Sequence, residues 1–168
     1  MKSRPVYDLS QRLPYLINRL GVAIVARATD GGLARFNLTI PMWRVLAVLA
    51  HRGELRQVDL SAATSLDAPT VSRLISAGVR RGLVTRTRSD TSNREVTVRL
   101  TRAGRDIVVE LLPMMVSVER ALFRGVSKPD IARFKAILRR MYDNMADYGA
   151  AGPKPARKAA PAARRRRS

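Results

Sequence analysis

Cysteine is absent from this sequence of 168 residues, and histidine and tryptophan each occur only once. Without cysteine the chain can form no disulfide, zinc–thiolate site or thiol redox switch. A single histidine, His51, with no cysteine to support it also argues against a metal site. We therefore expect no metal and no other cofactor.

Acidic residues are also scarce, since 13 Asp and Glu stand against 32 Lys and Arg, for a formal net charge of +19. Such an excess says little about the fold but points to an anionic partner, either nucleic acid or an anionic surface. The carboxylates are scattered, and no glycine-rich loop is present that could cradle a phosphate. The sequence therefore predicts a binding protein and not an enzyme.

Long apolar runs are missing as well. Asp8, Arg12 and Arg19 interrupt the apolar N-terminal region, and its longest uncharged stretch, Leu20 to Ala26, lacks a clear signal-peptide core. No segment approaches the roughly 18 apolar residues of a membrane span. We expect a soluble cytoplasmic protein, with no membrane partner.

Hydrophobic periodicity predicts a mainly α-helical chain. A first helix spans residues 8–29 with Asp8 as its N-cap, although Pro14 can kink it or delay its start. A second helix begins at the cap Thr39 and ends at Gly53. The apolar stripe of the first helix comprises Leu9, Leu13, Leu16, Ile17, Leu20 and Ile24.

The middle of the chain changes from helix to strand. A short helix near 56–64 is followed by a helix over 67–81 that is capped by Asp67. Residues 83–88 and 94–100 then alternate as two strands around a polar turn.

Two more helices and a tail complete the chain. Thr101 caps the next helix, which Pro113 can bend. The last helix carries an apolar stripe from Ile131 to Met145. Residues 149–168 are rich in Ala, Pro, Lys and Arg without apolar periodicity, so we expect them to be a disordered basic tail.

The helix over 67–81 has two unlike faces. Val71, Leu74, Ile75 and Gly78 fall on an apolar face at helical spacing. The opposite face has short hydroxyls and arginines but no acidic group, and it comprises Pro69, Ser72, Arg73, Ser76 and Arg80. An ordinary solvated face is one explanation, and a surface that approaches an anion is the other.

The order of these elements favours the second explanation. Helix, short helix, turn, helix and hairpin is the order of a winged helix-turn-helix, whose second helix lies in the DNA major groove. Short side chains allow close approach to base edges, and arginine can contact guanine or phosphate. The residues predicted to contact double-stranded DNA are Pro69, Thr70, Ser72, Arg73, Ser76 and Arg80 on the helix and Arg86, Arg88 and Arg94 on the wing.

Residues 38–104 resemble the core of the MarR (multiple antibiotic resistance regulator) family of bacterial, ligand-responsive transcription factors. The resemblance rests on Trp43 after the Leu-Thr opening, then on "TVSRLI" leading into "RRGLV", and then on Asp90 and Arg94 at the wing tip before "LTRAG". Of the family's Asp-Arg-Arg wing tip only Arg94 is kept, and Ser65 stands in the turn where glycine is common.

The resemblance implies an architecture and a mode of action. It extends over residues 8–148, with a winged helix-turn-helix over about 38–100 and dimerisation helices over about 8–29 and 101–148. It implies a nucleoid-associated homodimer that represses from a pseudo-palindromic operator. A small aromatic acid would release the repressor.

The resemblance also implies an effector pocket between the first, second and fifth helices. Its candidate residues are Asn18, Arg19 and His51 for the carboxylate, with Trp43, Met114 and Met115 as walls. Simpler roles stay open for each: solvation for Asn18 and Arg19, a helix-end position for His51, and core packing for Trp43 and the methionines.

A rival hypothesis is an architectural or nucleoid-type DNA-binding protein without an effector, for which the charge of +19 is the argument. Discrete operator footprints against uniform coating would separate the two hypotheses. The basic tail is expected to add nonspecific DNA affinity. A role at a membrane surface lacks the amphipathic anchor or lipidation signal it would need.

Overall fold

The computed structural model describes residues 8–88 and 96–151, and it confirms the predicted winged-helix class. The chain forms two compact units, Met1–Arg124 and Gly125–Ser168. In the described residues the elements are α1 Leu13–Gly31, α2 Ile40–Arg52, β1 Leu55–Arg56, α3 Gln57–Thr64, α4 Ala68–Arg80, β2 Val84–Arg88, β3 Val96–Leu100, α5 Arg102–Leu122 and α6 Lys128–Ala151.

Three predicted helix caps are confirmed. Thr39 accepts a hydrogen bond from the backbone N–H of Met42 at 3.4 Å, which starts α2. Asp67 and Thr101 start α4 and α5 in the same way, with the accepting oxygens 2.8 and 3.0 Å from the donor nitrogens. These caps satisfy N–H groups that have no partner inside the helix, so they fix where each helix begins.

The expected cap of the first helix is wrong. Asp8 caps a short 3₁₀ helix, Leu9–Gln11, where its carboxylate accepts from the N–H of Ser10. The helix α1 begins later, at Leu13, with Pro14 in its first turn. A proline is tolerated there because the first N–H groups of a helix need no helical partner. The later start, one of the two outcomes expected for Pro14, is the one observed.

The wing strands β2 and β3 pair antiparallel, with Val84 opposite Leu100. A third strand, β1, was not predicted. It consists of Leu55 and Arg56 and pairs with β3 opposite Val98 and Thr97, which gives the order β1-β3-β2. The turn between β2 and β3 lies outside the described residues.

The hydrophobic core lies between α2, α3, α4, the sheet and the start of α5. The predicted inward face of α4 is confirmed, because Val71 and Ile75 are fully buried and Gly78 packs against Val84. Ser65, in the turn between α3 and α4, adopts a left-handed conformation with φ 54°. That conformation explains why glycine suits this turn and why a small residue can replace it.

The long helices contribute far less to this core. Ala28 is the one residue of α1 that is buried, and α5 continues through Pro113 with exposed Val109 and Leu112. The predicted stripe of α1 is apolar but largely exposed in the single chain. Across the described residues, none of the helices combines the length and apolar character that crossing a bilayer would require.

Candidate nucleic-acid interface

The outward side of α4 forms one polar, basic surface, which we call the recognition face. Five residues predicted to contact DNA line a single shallow depression on it: Thr70, Ser72, Arg73, Ser76 and Arg80. Pro69 is exposed in the first turn of the same helix. The structure therefore brings the helical part of the predicted contact set together on one surface.

A chain of hydrogen bonds runs along the start of this face. The hydroxyl of Thr70 donates to Oδ2 of Asp67 at 2.8 Å and accepts from Nη2 of Arg73 at 3.1 Å. Bonds from the backbone and side chain of Thr70, together with the nearby charge of Arg73, hold the pKa of Asp67 below its usual range. The Asp67 carboxylate is therefore charged at neutral pH, and it accepts from both the backbone N–H and the hydroxyl of Thr70.

The wing strand adds a third arginine to the recognition face. Arg86 lies two residues after the buried Val84 on β2, so both side chains leave the same face of the sheet. Its Nη2 donates to the hydroxyl of Ser76 on α4 at 3.2 Å. Arg88 ends β2, while Arg94 lies outside the described residues.

Sequence reasoning missed a residue that anchors the other end of α4. Arg81 follows the helix and donates to the backbone carbonyls of Asn37 at 2.9 Å and Phe36 at 2.6 Å. Both acceptors end the 3₁₀ helix Leu33–Phe36, which connects α1 to α2. The basic run "VRRG" at a helix end was a visible signal, but the acceptors lie more than 40 residues away in the sequence.

An apolar cavity of about 480 Å³ lies between α1 and α5. Of the predicted ligand residues, Met114 lines it. Arg27 is the charged residue in its wall, and sequence reasoning missed it. Arg27 lies seven positions after Leu20, so helical spacing alone places it on the same stripe. The full lining comprises Leu20, Ala23, Ile24, Arg27, Gly31, Met114, Ser117, Val118, Ala121 and Leu122.

The other predicted ligand residues do not line this cavity. Asn18 and Arg19 are exposed on α1, where Asn18 borders a separate hollow, and His51 is exposed in the last turn of α2. Trp43 and Met115 are partly buried and pack against the core. Within the described ranges, no group of three His, Cys, Asp or Glu side chains could hold a metal ion.

The helix pair α3–α4, its left-handed turn and the antiparallel hairpin β2–β3 define a winged helix-turn-helix protein.

Known proteins place the chain within this class. Residues 36–95 match the sequence model of the MarR family. The HTH-type transcriptional repressor IacR of Pseudomonas putida is 23% identical over 113 residues, which cover 67% of this chain and 68% of IacR. Over the residues that this model matches, the chain is therefore similar to the MarR family of transcriptional regulators.

Two solved structures agree with this assignment. A MarR family transcriptional regulator from Silicibacter pomeroyi DSS matches with a TM-score of 0.73 and 28% identity, over 87% of this chain and 99% of that one. BpsR of Bordetella bronchiseptica, whose DNA binding is regulated by 6-hydroxynicotinic acid, matches with a TM-score of 0.70 and 27% identity, over 77% and 98% of the respective chains.

Proposed function

We propose that the protein is a homodimeric repressor that reads a pseudo-palindromic operator through the recognition face and is released by a small aromatic acid. The observation that carries the proposal is the recognition face itself, where short hydroxyls stand beside Arg73, Arg80 and Arg86. Arg73 and Ser76 are the proposed base readers, and the wing residues Arg88 and Arg94 are proposed phosphate or minor-groove contacts.

The exposed apolar surface supports the dimer. Two recognition helices must lie about 34–36 Å apart to enter successive major grooves, which requires a second copy. Leu13 and Leu16 of α1, Val116 of α5 and Ile137 of α6 are each between 43% and 50% exposed in the single chain. Apolar surface of this extent is typical of an interface, so α1, α5 and α6 are the proposed dimerisation helices.

The test of base reading is Arg73→Ala. Full-length protein first selects an operator from a random duplex pool, and affinity is then measured on this operator and on a scrambled duplex. A lost bidentate base contact costs about 1–3 kcal/mol on the operator and relaxes the preference at one position per half-site. Arg120→Ala, at an exposed arginine of α5, is the matched control and is expected to leave both affinities unchanged. Equal weakening of both duplexes by Arg73→Ala would remove the base-reading role.

The proposed effector is a hydroxylated aromatic acid. A carboxylate in an apolar cavity needs a cation, and Arg27 supplies one in the wall of the α1–α5 cavity. Arg19 stays a second candidate, from the resemblance to the family. The regulation of BpsR by 6-hydroxynicotinic acid supports this ligand class. Release is proposed to be a shift from dimers with DNA spacing to dimers without it, driven by the ligand's differential affinity.

The effector is tested by titrating hydroxybenzoic and hydroxynicotinic acids into the operator complex. At millimolar concentration we expect weaker operator binding, and Arg19→Ala or Arg27→Ala should blunt this response without changing affinity in the absence of acid. Arg120→Ala again serves as the control. If no such acid changes operator affinity, the aromatic-acid proposal fails.

The charge of +19 favours a second candidate, an architectural DNA-binding protein without an effector. Such a protein would coat duplexes of any sequence, whereas a repressor would protect discrete sites. Footprinting on genomic fragments distinguishes the two, because uniform protection contradicts the repressor and discrete protection contradicts the architectural protein.

A further inference from the structure

Thr70 is engaged within the protein on both sides of its hydroxyl. Its proton is donated to Oδ2 of Asp67 at 2.8 Å, and one of its lone pairs accepts Nη2 of Arg73 at 3.1 Å. A hydroxyl has one proton and two lone pairs, so in this arrangement Thr70 has no proton left for a base. A guanidinium has five N–H donors, so Arg73 keeps four for another partner after this bond.

The hydrogen bonds from Arg73 to Thr70 and from Thr70 to Asp67 favour a fixed orientation of the Arg73 guanidinium. A hydroxyl that donates to a carboxylate becomes a better acceptor, which strengthens its bond to the guanidinium. Asp67 is itself held, because its Oδ1 caps α4 by accepting from the N–H of Thr70. A long, exposed side chain such as Arg73 would otherwise pay for its ordering when it binds DNA.

We propose that Thr70 is a positioning residue that, held by Asp67, orients the guanidinium of Arg73 for base recognition and does not read a base itself. This inference rests on the proposed function of Arg73. It changes the role expected for Thr70 from a DNA contact to a support for one. Among the described residues, no carboxylate bonds the Ser76–Arg86 pair on the same face, so the inference is confined to Thr70.

The variant Thr70→Val tests the proposal, because it keeps the branched shape and the backbone N–H that Asp67 caps. We expect the affinity for the selected operator to fall about three- to tenfold, the range of one lost hydrogen bond, with the scrambled duplex unaffected. Thr70→Ser restores the hydroxyl and should restore affinity. Thr29→Val is the matched control, since the hydroxyl of Thr29 donates to the carbonyl of Val25 within α1, away from the recognition face.

The second arm repeats Thr70→Val in the Arg73→Ala background, where a positioning residue has nothing left to position. No further loss is expected there. Asp67→Asn, which keeps a good helix cap and removes only the charge, should cause a smaller operator-specific loss of about two- to threefold that also vanishes in that background. This variant carries the test if Thr70→Val fails to fold, which thermal unfolding reports.

Three results would overturn the proposal. They are equal weakening of both duplexes by Thr70→Val, additive losses in the double variant, and wild-type operator affinity in both Thr70→Val and Asp67→Asn. The Arg73→Ala variant alone separates this failure from failure of the proposed function. If Arg73→Ala weakens binding to the operator but not to the scrambled duplex, while Thr70→Val changes neither affinity, only the positioning role is lost.

Discussion

The winged-helix lobe, residues 38–100, and the first helix use their apolar side chains in opposite ways. In the lobe Leu46, Leu60 and Val98 have no exposed surface, and helices and sheet close around them. In α1 the side chains of Leu13 and Ile17 are close to half exposed, at 50% and 44%. The lobe therefore completes its core within one chain, whereas α1 presents apolar surface that a second copy can cover.

The largest effect is expected from a substitution at the proposed dimer interface. Leu138 lies on the apolar stripe of α6 and is partly exposed within the single chain. Leu138→Asp should yield monomers, because a carboxylate would have to be buried without a partner. Operator affinity should then fall at least about a hundredfold, since the two half-site contacts are no longer linked.

Sedimentation velocity measures this outcome. Asn144→Asp, which adds the same charge at an exposed position of α6, should remain dimeric. An intact Leu138→Asp dimer would take this stripe out of the interface.

The same methyl group, added against the lobe at Gly104 of α5 and within α1 at Gly21, sharpens the comparison. At Gly104 a Cβ would overlap the backbone carbonyl of Leu83, so Gly104→Ala should lower the free energy of unfolding by about 3 kcal/mol. At Gly21 a Cβ meets nothing within 4 Å, so Gly21→Ala should raise it by about 0.5–1 kcal/mol through helix propensity. Denaturant unfolding compares the two variants. A destabilised Gly21→Ala dimer would reveal close packing against α1 at that position.

A smaller effect than loss of the dimer is expected from the C-terminal residues, of which 152–168 lie outside the described residues. Removing residues 149–168 deletes seven basic groups and no acidic one, which lowers the formal net charge from +19 to +12. We expect about tenfold weaker binding to every duplex and a flatter salt dependence, because each phosphate contact adds about 0.9 to the salt slope. The ratio of operator to scrambled affinity should stay nearly constant. Titrations at several salt concentrations check this, and loss of operator preference would contradict it.

Local chemistry predicted much of the lobe. Thr39, Asp67 and Thr101 are short polar acceptors placed directly before apolar periodicity, and each caps a helix. The strand β1 was not predicted because two residues are too few to show an alternating pattern. Its pairing with β3 is what defines it. Asp8 was assigned to the wrong helix because the same cap chemistry can begin a 3₁₀ turn.

The candidate sites were predictable to different degrees. Helical spacing was enough to gather the α4 residues of the recognition face, because they all lie on one helix. The α1–α5 cavity depends on how two helices meet, so the sequence indicated Met114 but not its neighbour across the cavity, Arg27. The bonds made by Arg81 join distant segments, and no local pattern encodes them.

Arg81 connects the end of α4 to the segment between α1 and α2, next to the α1–α5 cavity. Met114, in the cavity wall, lies so close to Gly31 and Gly32 that a Cβ on either would overlap its side chain. The next turn of chain, Leu33–Phe36, ends at the two carbonyls that hold Arg81. A displacement of that turn would therefore act on both hydrogen bonds at the end of α4. The C-terminal end of α4 is thus tied by two hydrogen bonds to the connection between α1 and α2.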